Sequence, residues 1–353
     1  MEKKRIAVLF GGRSSEHDVS LTSAAAVMAH MDKEKYEPVP IGITKEGNWY
    51  FYKGDPEEIE GERWFTPENC VPAVLSCNPK DSGFLLFPGE KAERLPVDGV
   101  FPVLHGKWGE DGTVQGLIAL SGLPVIGCGV LASALCMDKH RSHILAKEAG
   151  IAVPKGVVLK TYMDREEWRK MIRTLSLPLY VKPVREGSSF GISRVEHYDA
   201  CIPAIEKAFL LDEEVIVEEE VAGFEVGCAV MGKNFLFTGE VDEIELSHGF
   251  FDFTEKYQLI TSQIHMPARI SSEMTYKVKE TAKRLYRILG LSGFARVDLF
   301  CTPEGGLVFN EVNTIPGFTS HSRFPNMMKG AGLSFGDMLD HIIQEALYEK
   351  QEA

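Results

Sequence analysis

The sequence lacks several features that would place it in a specialised class of protein. It contains no run of about 18 apolar residues, the length that a membrane-spanning helix needs. Its seven cysteines are dispersed without a Cys-x-x-Cys pair, so they indicate neither a disulfide framework nor a structural zinc site. Basic residues are few relative to acidic ones, and the net charge of −13 argues against nucleic acid or an anionic membrane as a partner.

The amino terminus shows no sign of a signal peptide. Charged residues at positions 2–5 lead directly into a strand-like segment, without an apolar stretch and a cleavage site. We therefore expect a cytoplasmic protein. At 353 residues the chain is long enough for two or three domains with a large core.

The first third of the chain has the pattern of an open α/β domain. Residues 5–10 form a continuous apolar run typical of a buried strand, a glycine-rich loop follows, and residues 19–31 have a helical pattern. Further strands are predicted over residues 39–43, 99–104 and 123–127, with helical stretches between them.

The pattern changes after residue 154. Predicted strands at residues 156–159, 179–181 and 215–217 alternate with polar helices such as 164–176, which indicates a small α+β unit. Residues 226–345 are predicted to form a second, more antiparallel unit, closed by a helix over residues 335–347.

Two β-rich runs near the carboxyl terminus are predicted to form a hairpin. They cover residues 296–300 and 309–313, and Pro303 with Gly305-Gly306 marks the loop between them. A symmetric register sets Asp298 directly opposite Glu311.

The same register brings further polar groups to that face. Because side chains alternate along a strand, Arg296 and Asn313 lie beside the two carboxylates. Hard oxygen ligands of this kind suit Mg²⁺, which completes its coordination shell with water and substrate phosphates. An edge hairpin in which Arg296 bridges the two acids would use the same residues.

A lysine and a glycine-rich loop form a candidate phosphate site. Lys182 ends a predicted strand, and the loop after it contains Gly187, Ser188, Ser189 and Gly191. Backbone N–H groups of such a loop can turn toward phosphate oxygens, with the lysine as a point charge. The loop matches neither a Walker A motif nor a dinucleotide fingerprint, and an ordinary flexible turn is the alternative.

An acidic turn follows the strand at residues 215–217. A solvated strand end explains three consecutive glutamates, Glu218–Glu220. The alternative is that one acid accepts a hydrogen bond from an adenine amino group while Glu225 holds ribose hydroxyls.

Polar residues also follow the predicted strands of the first domain. His105 and Glu110 lie in one glycine-punctuated loop, and Glu16 lies in the loop after the first strand. Such loops meet at one end of an α/β sheet, where ligands commonly bind. Lys139 begins a basic stretch with a helical pattern. Its side chain is predicted either to bind a ligand or to lie at the surface.

Eight ordered motifs together resemble those of the D-alanine:D-alanine ligases of the ATP-grasp superfamily, from near the amino terminus to about residue 330. They read LFGGRSSEHDVSL, LHGKWGEDG, MDK, KPVREGSSFG, EEEVAGFEV, FFDFTEKY, RVDLF and FNEVNTIPGFTSHS. The resemblance implies α/β and α+β parts: an open α/β substrate-binding domain over residues 1–127, then a two-domain ATP-grasp fold. Residues 128–218 would form its central domain and residues 219–353 its C-terminal domain, with the magnesium and acceptor sites. It also implies a cytoplasmic homodimer that works in peptidoglycan precursor synthesis.

The resemblance assigns the binding of ATP and metal. Lys139, Lys182 and Lys256 would hold phosphates, and the remaining nucleotide contacts would come from Glu218, the backbone of Val221, Glu225 at the ribose, and Asn310. Two Mg²⁺ ions, which Mn²⁺ can replace, would bind Asp298, Glu311 and Asn313, with Glu311 bridging them.

The resemblance also implies the chemistry. ATP phosphorylates the carboxylate of D-alanine, and the amine of a second D-amino acid attacks the resulting acyl phosphate. Arg296 and the backbone N–H of Gly317 would stabilise the oxyanion. Glu16 would bind the ammonium of the first D-alanine, and Ser188 and Tyr257 would couple Glu16 to a closing loop at residues 250–259.

One departure from the family bears on the acceptor. Ser322 lies where the acceptor carboxylate is expected, and the next residue, usually aliphatic, is Arg323 here. Its five donors suit an acceptor with a hydroxyl, which favours D-serine. With Phe251, Arg323 makes the chain resemble the VanG-type D-alanine:D-serine ligases of vancomycin resistance, whereas Lys256-Tyr257 argues against a D-lactate ligase. An ordinary D-alanine:D-alanine ligase, with Arg323 turned to solvent or to a loop acid, is the alternative.

Three other classes fit less of the sequence. A nucleotide-binding module without catalysis need not keep Arg296, Asp298, Glu311 and Asn313 together. Another ATP-grasp carboxylate-amine ligase would not need the motifs around Glu16 and Tyr257. A dehydrogenase would need the G-x-G-x-x-G fingerprint, which is absent.

Overall fold

The computed structural model describes residues 2–246 and 262–352, and the strands among them form three sheets. In the first sheet β1 pairs in parallel with β2 and β7, and the remaining neighbours pair antiparallel. Its order is β6-β5-β4-β3-β2-β1-β7, with β1 Lys4–Gly11, β2 Tyr36–Ile43, β3 Trp49–Tyr52, β4 Cys70–Leu75, β5 Gly83–Leu86, β6 Glu93–Pro96 and β7 Gly99–Pro102.

The central sheet is smaller and antiparallel. Its order is β10-β9-β11-β8, with β8 Gly156–Lys160, β9 Leu179–Pro183, β10 Ser193–Val195 and β11 Glu214–Glu219. The third sheet has the order β14-β13-β12-β15-β16, with β12 Phe224–Met231, β13 Phe237–Leu246, β14 Ser262–His265, β15 Phe294–Cys301 and β16 Leu307–Asn313. All its pairings are antiparallel, as the sequence predicts.

Helices connect and cover these sheets. They are α1 His17–His30, α2 Thr113–Leu120, α3 Val130–Met137, α4 Lys139–Glu148, α5 Arg165–Ile172, α6 Tyr198–Phe209, α7 Ser272–Ile288, α8 Arg323–Gly330 and α9 Phe335–Glu352. Asp164 caps α5, where it accepts hydrogen bonds from the backbone N–H groups of Glu166 and Glu167. No helix of the described residues is both long enough and apolar enough to cross a membrane.

The apolar run in β1 is buried as predicted: residues 6–10 are all 0% exposed. The strand predicted over residues 123–127 is wrong. Only Val125 forms a bridge, with Val100 on β7. Pro124 has no backbone N–H to offer a ladder, and Gly127 has a φ of 127°, which is not a strand conformation.

The hairpin of β15 and β16 confirms the predicted facing of its polar residues. Asp298 pairs with Glu311, and Arg296 pairs with Asn313. The symmetric register does not extend to the loop, because Leu299 pairs with Phe309 and the ladder shifts by one residue. This bulge leaves Asn310 as the extra residue in β16, directly beside Glu311.

The core crosses the predicted domain limits. Residues of α9 pack in one cluster with β1 and α1, and residues of α3 pack in another with the third sheet. The limits at 127 and 218 remain predictions. The first of these clusters joins the first sheet to the third, whereas the central sheet packs in a cluster of its own.

Candidate active site

A cavity of about 760 Å³, here called the larger cavity, is lined by residues of the central and third sheets. Its volume lies in the range of small-molecule sites. The structure places at this cavity six residues that the resemblance assigns to ATP: Lys139, Lys182, Glu218, Val221, Glu225 and Asn310. Glu311 also lines it.

Two lysines reach the larger cavity from different elements. Lys182 on β9 donates a hydrogen bond of 2.7 Å to Glu218 on the neighbouring strand β11. Lys139 is the first residue of α4, and its Nζ donates to the backbone oxygen of Glu186 at 2.7 Å. The same Nζ lies 3.5 Å from Glu311, so this ammonium connects the glycine-rich loop to the hairpin.

Glu218 is the most enclosed acid of the larger cavity, with 1% exposure. Burial raises the pKa of its carboxyl, but the charge of Lys182, followed by the contact with His143, outweighs burial and lowers the pKa to about 2. The group is therefore a carboxylate at neutral pH. Its Oε1 is buried and lies 3.2 Å from Nδ1 of His143.

The hairpin supplies the candidate metal ligands. Both oxygens of Asp298 accept hydrogen bonds from Arg296, and Oδ2 also accepts from Nδ2 of Asn313 at 2.9 Å. The described residues contain no cluster of three or more His, Cys, Asp or Glu side chains able to hold a metal alone. Two carboxylates and an amide oxygen beside the larger cavity nevertheless fit Mg²⁺, which takes its other ligands from water and phosphates.

A second cavity, of about 170 Å³ and here called the smaller cavity, is lined by Arg296 and Asn313 of the hairpin. The structure brings together at it every described residue that the sequence analysis predicts for catalysis or substrate binding. These are Glu16, His105, Glu110, Ser188, Arg296, Gly317, Ser322 and Arg323. Asn313 lines it as well.

Glu16 and Ser188 meet across the smaller cavity. The Ser188 hydroxyl donates a hydrogen bond to Oε1 of Glu16, so the glycine-rich loop contacts the loop after β1. Ser188 has a φ of 46°, a left-handed conformation that is uncommon for a residue other than glycine. Backbone strain at such positions is typical of functional loops.

The side chains of His105 and Glu110 form hydrogen bonds with backbone groups. Nδ1 of His105 lies 2.9 Å from the carbonyl oxygen of Ile315 and donates to it. Glu110 accepts hydrogen bonds of 2.9 Å from the backbone N–H groups of Gly106 and Ile315. These contacts fix the segment that leads to Gly317. Burial, followed by the charge of Glu16, raises the pKa of Glu110 to about 8.

Arg323, the first residue of α8, turns inward. Its Nε and Nη2 each donate to one oxygen of Asp242 at 2.7 Å, and Nη1 donates to Glu225 at 3.0 Å. Nη1 also lies 3.5 Å from Asp298. Three of the five N–H groups are therefore engaged within the described chain, and the guanidinium lies between Glu225 and the hairpin.

Three residues that organise the site were not predicted from the sequence: Asp242, Glu186 and His143. Asp242 on β13 is 0% exposed and pairs with Gly227 on β12. The sequence feature that could have pointed to it is the glycine within the neighbouring strand, which makes room for a close approach. Glu186 acts through a backbone oxygen, which no residue type reveals.

Three further predicted residues, Phe251, Lys256 and Tyr257, lie outside the described residues. The same holds for the motif FFDFTEKY and the predicted closing loop at residues 250–259.

Comparisons with known proteins agree along the whole chain. The family model for the D-ala D-ala ligase N-terminus matches residues 5–128, and the one for the C-terminus matches residues 145–344. The vancomycin B-type resistance protein VanB of Enterococcus faecalis is 44% identical over 352 residues, covering 98% of this chain and 99% of the relative. A D-alanine–D-alanine ligase of Caldicellulosiruptor bescii is 41% identical over 359 residues, covering 100% and 97%.

A solved structure is also similar. The crystal structure of the VanG D-Ala:D-Ser ligase from Enterococcus faecalis superimposes with a TM-score of 0.91 and 55% identity, covering 98% of this chain and 100% of that one. The fold is therefore that of an ATP-grasp ligase.

The chain belongs to the D-alanine–D-alanine ligase family. It is an ATP-dependent, ADP-forming ligase that makes D-amino-acid dipeptides. The family uses ATP and Mg²⁺ and joins D-alanine to a second D-amino or D-hydroxy acid.

Proposed function

We propose that this chain joins D-alanine to D-serine through D-alanyl phosphate, with release of ADP and phosphate, to make the modified peptidoglycan precursors of vancomycin resistance. The observation that carries this proposal is Arg323, which lines the smaller cavity and is held there by Asp242. The name of the VanG structure, a D-Ala:D-Ser ligase, supports it.

In this proposal the larger cavity binds ATP. Lys139 and Lys182 hold the phosphates, Glu218 and the backbone of Val221 contact adenine, and Glu225 contacts the ribose. An ammonium has three donors, so Lys182 can keep its bond to Glu218 and still reach a phosphate oxygen. Asn310 lines the same cavity, and Lys256, outside the described residues, completes the phosphate contacts.

Asp298, Glu311 and Asn313 would hold two Mg²⁺ ions. When bound, the ions supply positive charge that offsets the negative charge of the phosphates during transfer. The chain already places cations at these carboxylates: Arg296 contacts Asp298, and Lys139 lies 3.5 Å from Glu311.

The smaller cavity holds the two amino acids. Glu16 binds the ammonium of the first D-alanine, and its hydrogen bond with Ser188 sets the direction of the carboxylate. The carboxylate of D-alanine attacks the terminal phosphorus, ADP leaves, and an acyl phosphate forms. Tyr257, in the loop outside the described residues, would help to cover the site against water.

The neutral amine of the second substrate then attacks the acyl carbon. Negative charge develops on the former carbonyl oxygen, and Arg296 with the backbone N–H of Gly317 donates to it. When the tetrahedral intermediate collapses, the carbon–oxygen bond to phosphate breaks and the peptide bond remains. His105 and Glu110 support this step indirectly, since both bind the backbone of Ile315, two residues before Gly317.

Arg323 sets the choice of acceptor. Nη1 donates one hydrogen bond to Glu225 and Nη2 donates one to Asp242, so each atom has a second N–H, and these donors suit the hydroxyl oxygen of D-serine. D-Alanine offers no such acceptor, so its binding leaves a polar group unpaired. Ser322 and Phe251 form the remaining wall in this proposal.

One other function has an observation in its favour. The relative from Caldicellulosiruptor bescii is named a D-alanine–D-alanine ligase and is 41% identical over the whole chain. The alternative acceptor is therefore a second D-alanine. A homodimeric state and a cytoplasmic location are also part of the proposal, and both rest on the family resemblance.

A competition assay tests the acceptor. The purified enzyme is incubated with ATP, Mg²⁺, D-alanine and an equal concentration of D-serine, and both dipeptides are quantified. We expect mainly D-alanyl-D-serine, whereas equal or preferential D-alanyl-D-alanine would refute the proposal. The variant Arg323→Leu should shift the ratio toward D-alanyl-D-alanine. Arg165→Leu, at an exposed arginine on α5 paired with Glu206, is the matched control.

A further inference from the structure

A buried histidine joins the two walls of the larger cavity. His143 lies on α4, and its side chain is 6% exposed. Its Nε2 lies 2.7 Å from the backbone oxygen of Asn310 on β16, and its Nδ1 lies 3.2 Å from Oε1 of Glu218 on β11. One imidazole thus contacts both the central and the third sheet beside the candidate nucleotide site.

The two contacts differ in kind. A carbonyl oxygen only accepts, so Nε2 carries the proton that binds Asn310. Nδ1 lies 3.2 Å from Oε1 of Glu218, and this contact is the one that supports the oxygen. Oε2 of Glu218 accepts from Lys182 at 2.7 Å, so the two oxygens have separate neighbours, and Oε1 keeps a lone pair that can accept from a ligand.

The ring of His143 has little freedom to turn. Phe309 packs edge-to-face against it, with ring centroids 5.4 Å apart and an angle of 71° between the planes. A rotation about the Cβ–Cγ bond would break this contact and the hydrogen bond to Asn310. The ring is therefore a fixed support for Oε1 of Glu218.

We propose that His143 is a positioning residue for the purine base: it holds Oε1 of Glu218 in the larger cavity, where the exocyclic amino group of adenine donates to that oxygen. The inference rests on the proposed function, in which Glu218 contacts adenine. A 6-oxo purine would direct a carbonyl oxygen at the carboxylate, two acceptors would face each other, and the nucleotide would be rejected.

The experiment compares ATP with inosine triphosphate, which carries an oxygen in place of the 6-amino group. Values of kcat/KM are measured for both nucleotides at saturating D-amino acids. For His143→Phe we expect the ATP-to-ITP ratio to fall about tenfold, mainly through KM for ATP, because Oε1 loses its support. The ratio of D-serine to D-alanine products should not change, since the smaller cavity is untouched.

Two further variants sharpen the result. His143→Gln keeps a single donor for one of the two oxygens, so it should restore part of the ratio, and it carries the test if His143→Phe does not fold. His140→Phe, three residues earlier on α4 at a partly exposed position, is the matched control and should keep the native ratio.

The results distinguish the role of His143 from the role of Glu218. Equal losses for ATP and ITP in both His143 variants would overturn the inference, because a residue that only supports the fold affects both nucleotides alike. Glu218→Gln tests the underlying assignment. If it lowers the ratio and the His143 variants do not, only this inference fails; if it leaves the ratio unchanged, Glu218 does not read adenine and both fail.

Discussion

The guanidinium of Arg323 binds the carboxylate of Asp242 through two parallel hydrogen bonds of 2.7 Å. Asp242 is fully buried, and the Arg323 side chain is 8% exposed. Burial lowers the pKa of Arg323, but the charges of Asp242 and then Asp298 outweigh burial and raise it overall, so the group stays cationic. Such a two-point pair fixes both the position and the plane of the guanidinium.

Glycine at position 227 is required by this pair. A Cβ there would lie 2.3 Å from Nη2 of Arg323 and 2.6 Å from Oδ1 of Asp242. We predict that Gly227→Ala displaces the guanidinium and lowers the preference for D-serine over D-alanine by about tenfold, the value of roughly one hydrogen bond. The ratio of kcat/KM for the two acceptors measures the effect.

Gly116→Ala is the control for that substitution, because a Cβ at Gly116 meets no atom within 4 Å. It should keep the native acceptor ratio. A native ratio in Gly227→Ala as well would show that the position of Arg323 does not decide the acceptor.

Two helix caps allow stability to be separated from nucleotide binding. Asp138 caps α4 by accepting from the N–H of Arg141 at 2.8 Å, and Asp164 caps α5 in the same way. Replacement of either by alanine should cost about 1 kcal/mol of stability. Only Asp138→Ala should also raise KM for ATP, because α4 begins with Lys139.

Thermal unfolding and the KM for ATP of both variants check this prediction. An unchanged KM for ATP in Asp138→Ala would contradict the proposed role of Lys139 at the phosphates.

The raised pKa of Glu110 predicts a pH dependence of stability. The carboxyl titrates near pH 4.5 when unfolded and near pH 8 when folded, so the folded state binds the extra proton between these values. The contribution of this group to the free energy of unfolding is fully present below pH 4.5. It falls as the pH rises toward 8, by at most about 1.4 kcal/mol per pH unit. Glu110→Gln, which cannot titrate, should remove this slope. Thermal midpoints of both proteins from pH 5 to 9 test it, and parallel curves would rule it out.

Local patterns in the sequence predict a large part of this structure. The apolar run of β1 and the facing of Asp298 and Glu311 follow from residues that are close in the chain. The bulge at Asn310 was not predicted, because a symmetric loop fits the sequence equally well. Bulges depend on packing against neighbouring strands, which local patterns do not contain.

Long-range pairing accounts for most of what the sequence did not reveal. Arg323 and Asp242 are 81 residues apart, and His143 and Asn310 are 167 apart. The residues adjacent to Arg323 and to His143 in the chain do not indicate which distant residue each side chain contacts. The donors of Arg323 were predicted to suit an acceptor hydroxyl, with solvent or a loop acid as the alternative partner, whereas Asp242 and Glu225 accept hydrogen bonds from three of them.

Glu311 lines the larger cavity and Asn313 the smaller one, and these residues are neighbours on one face of β16. Two residues of a strand span roughly 7 Å. An inhibitor that couples a nucleotide mimic to an amino-acid mimic therefore needs a linker of only a few bonds. Once one half is bound, the linker raises the effective concentration of the other half, which increases the overall affinity.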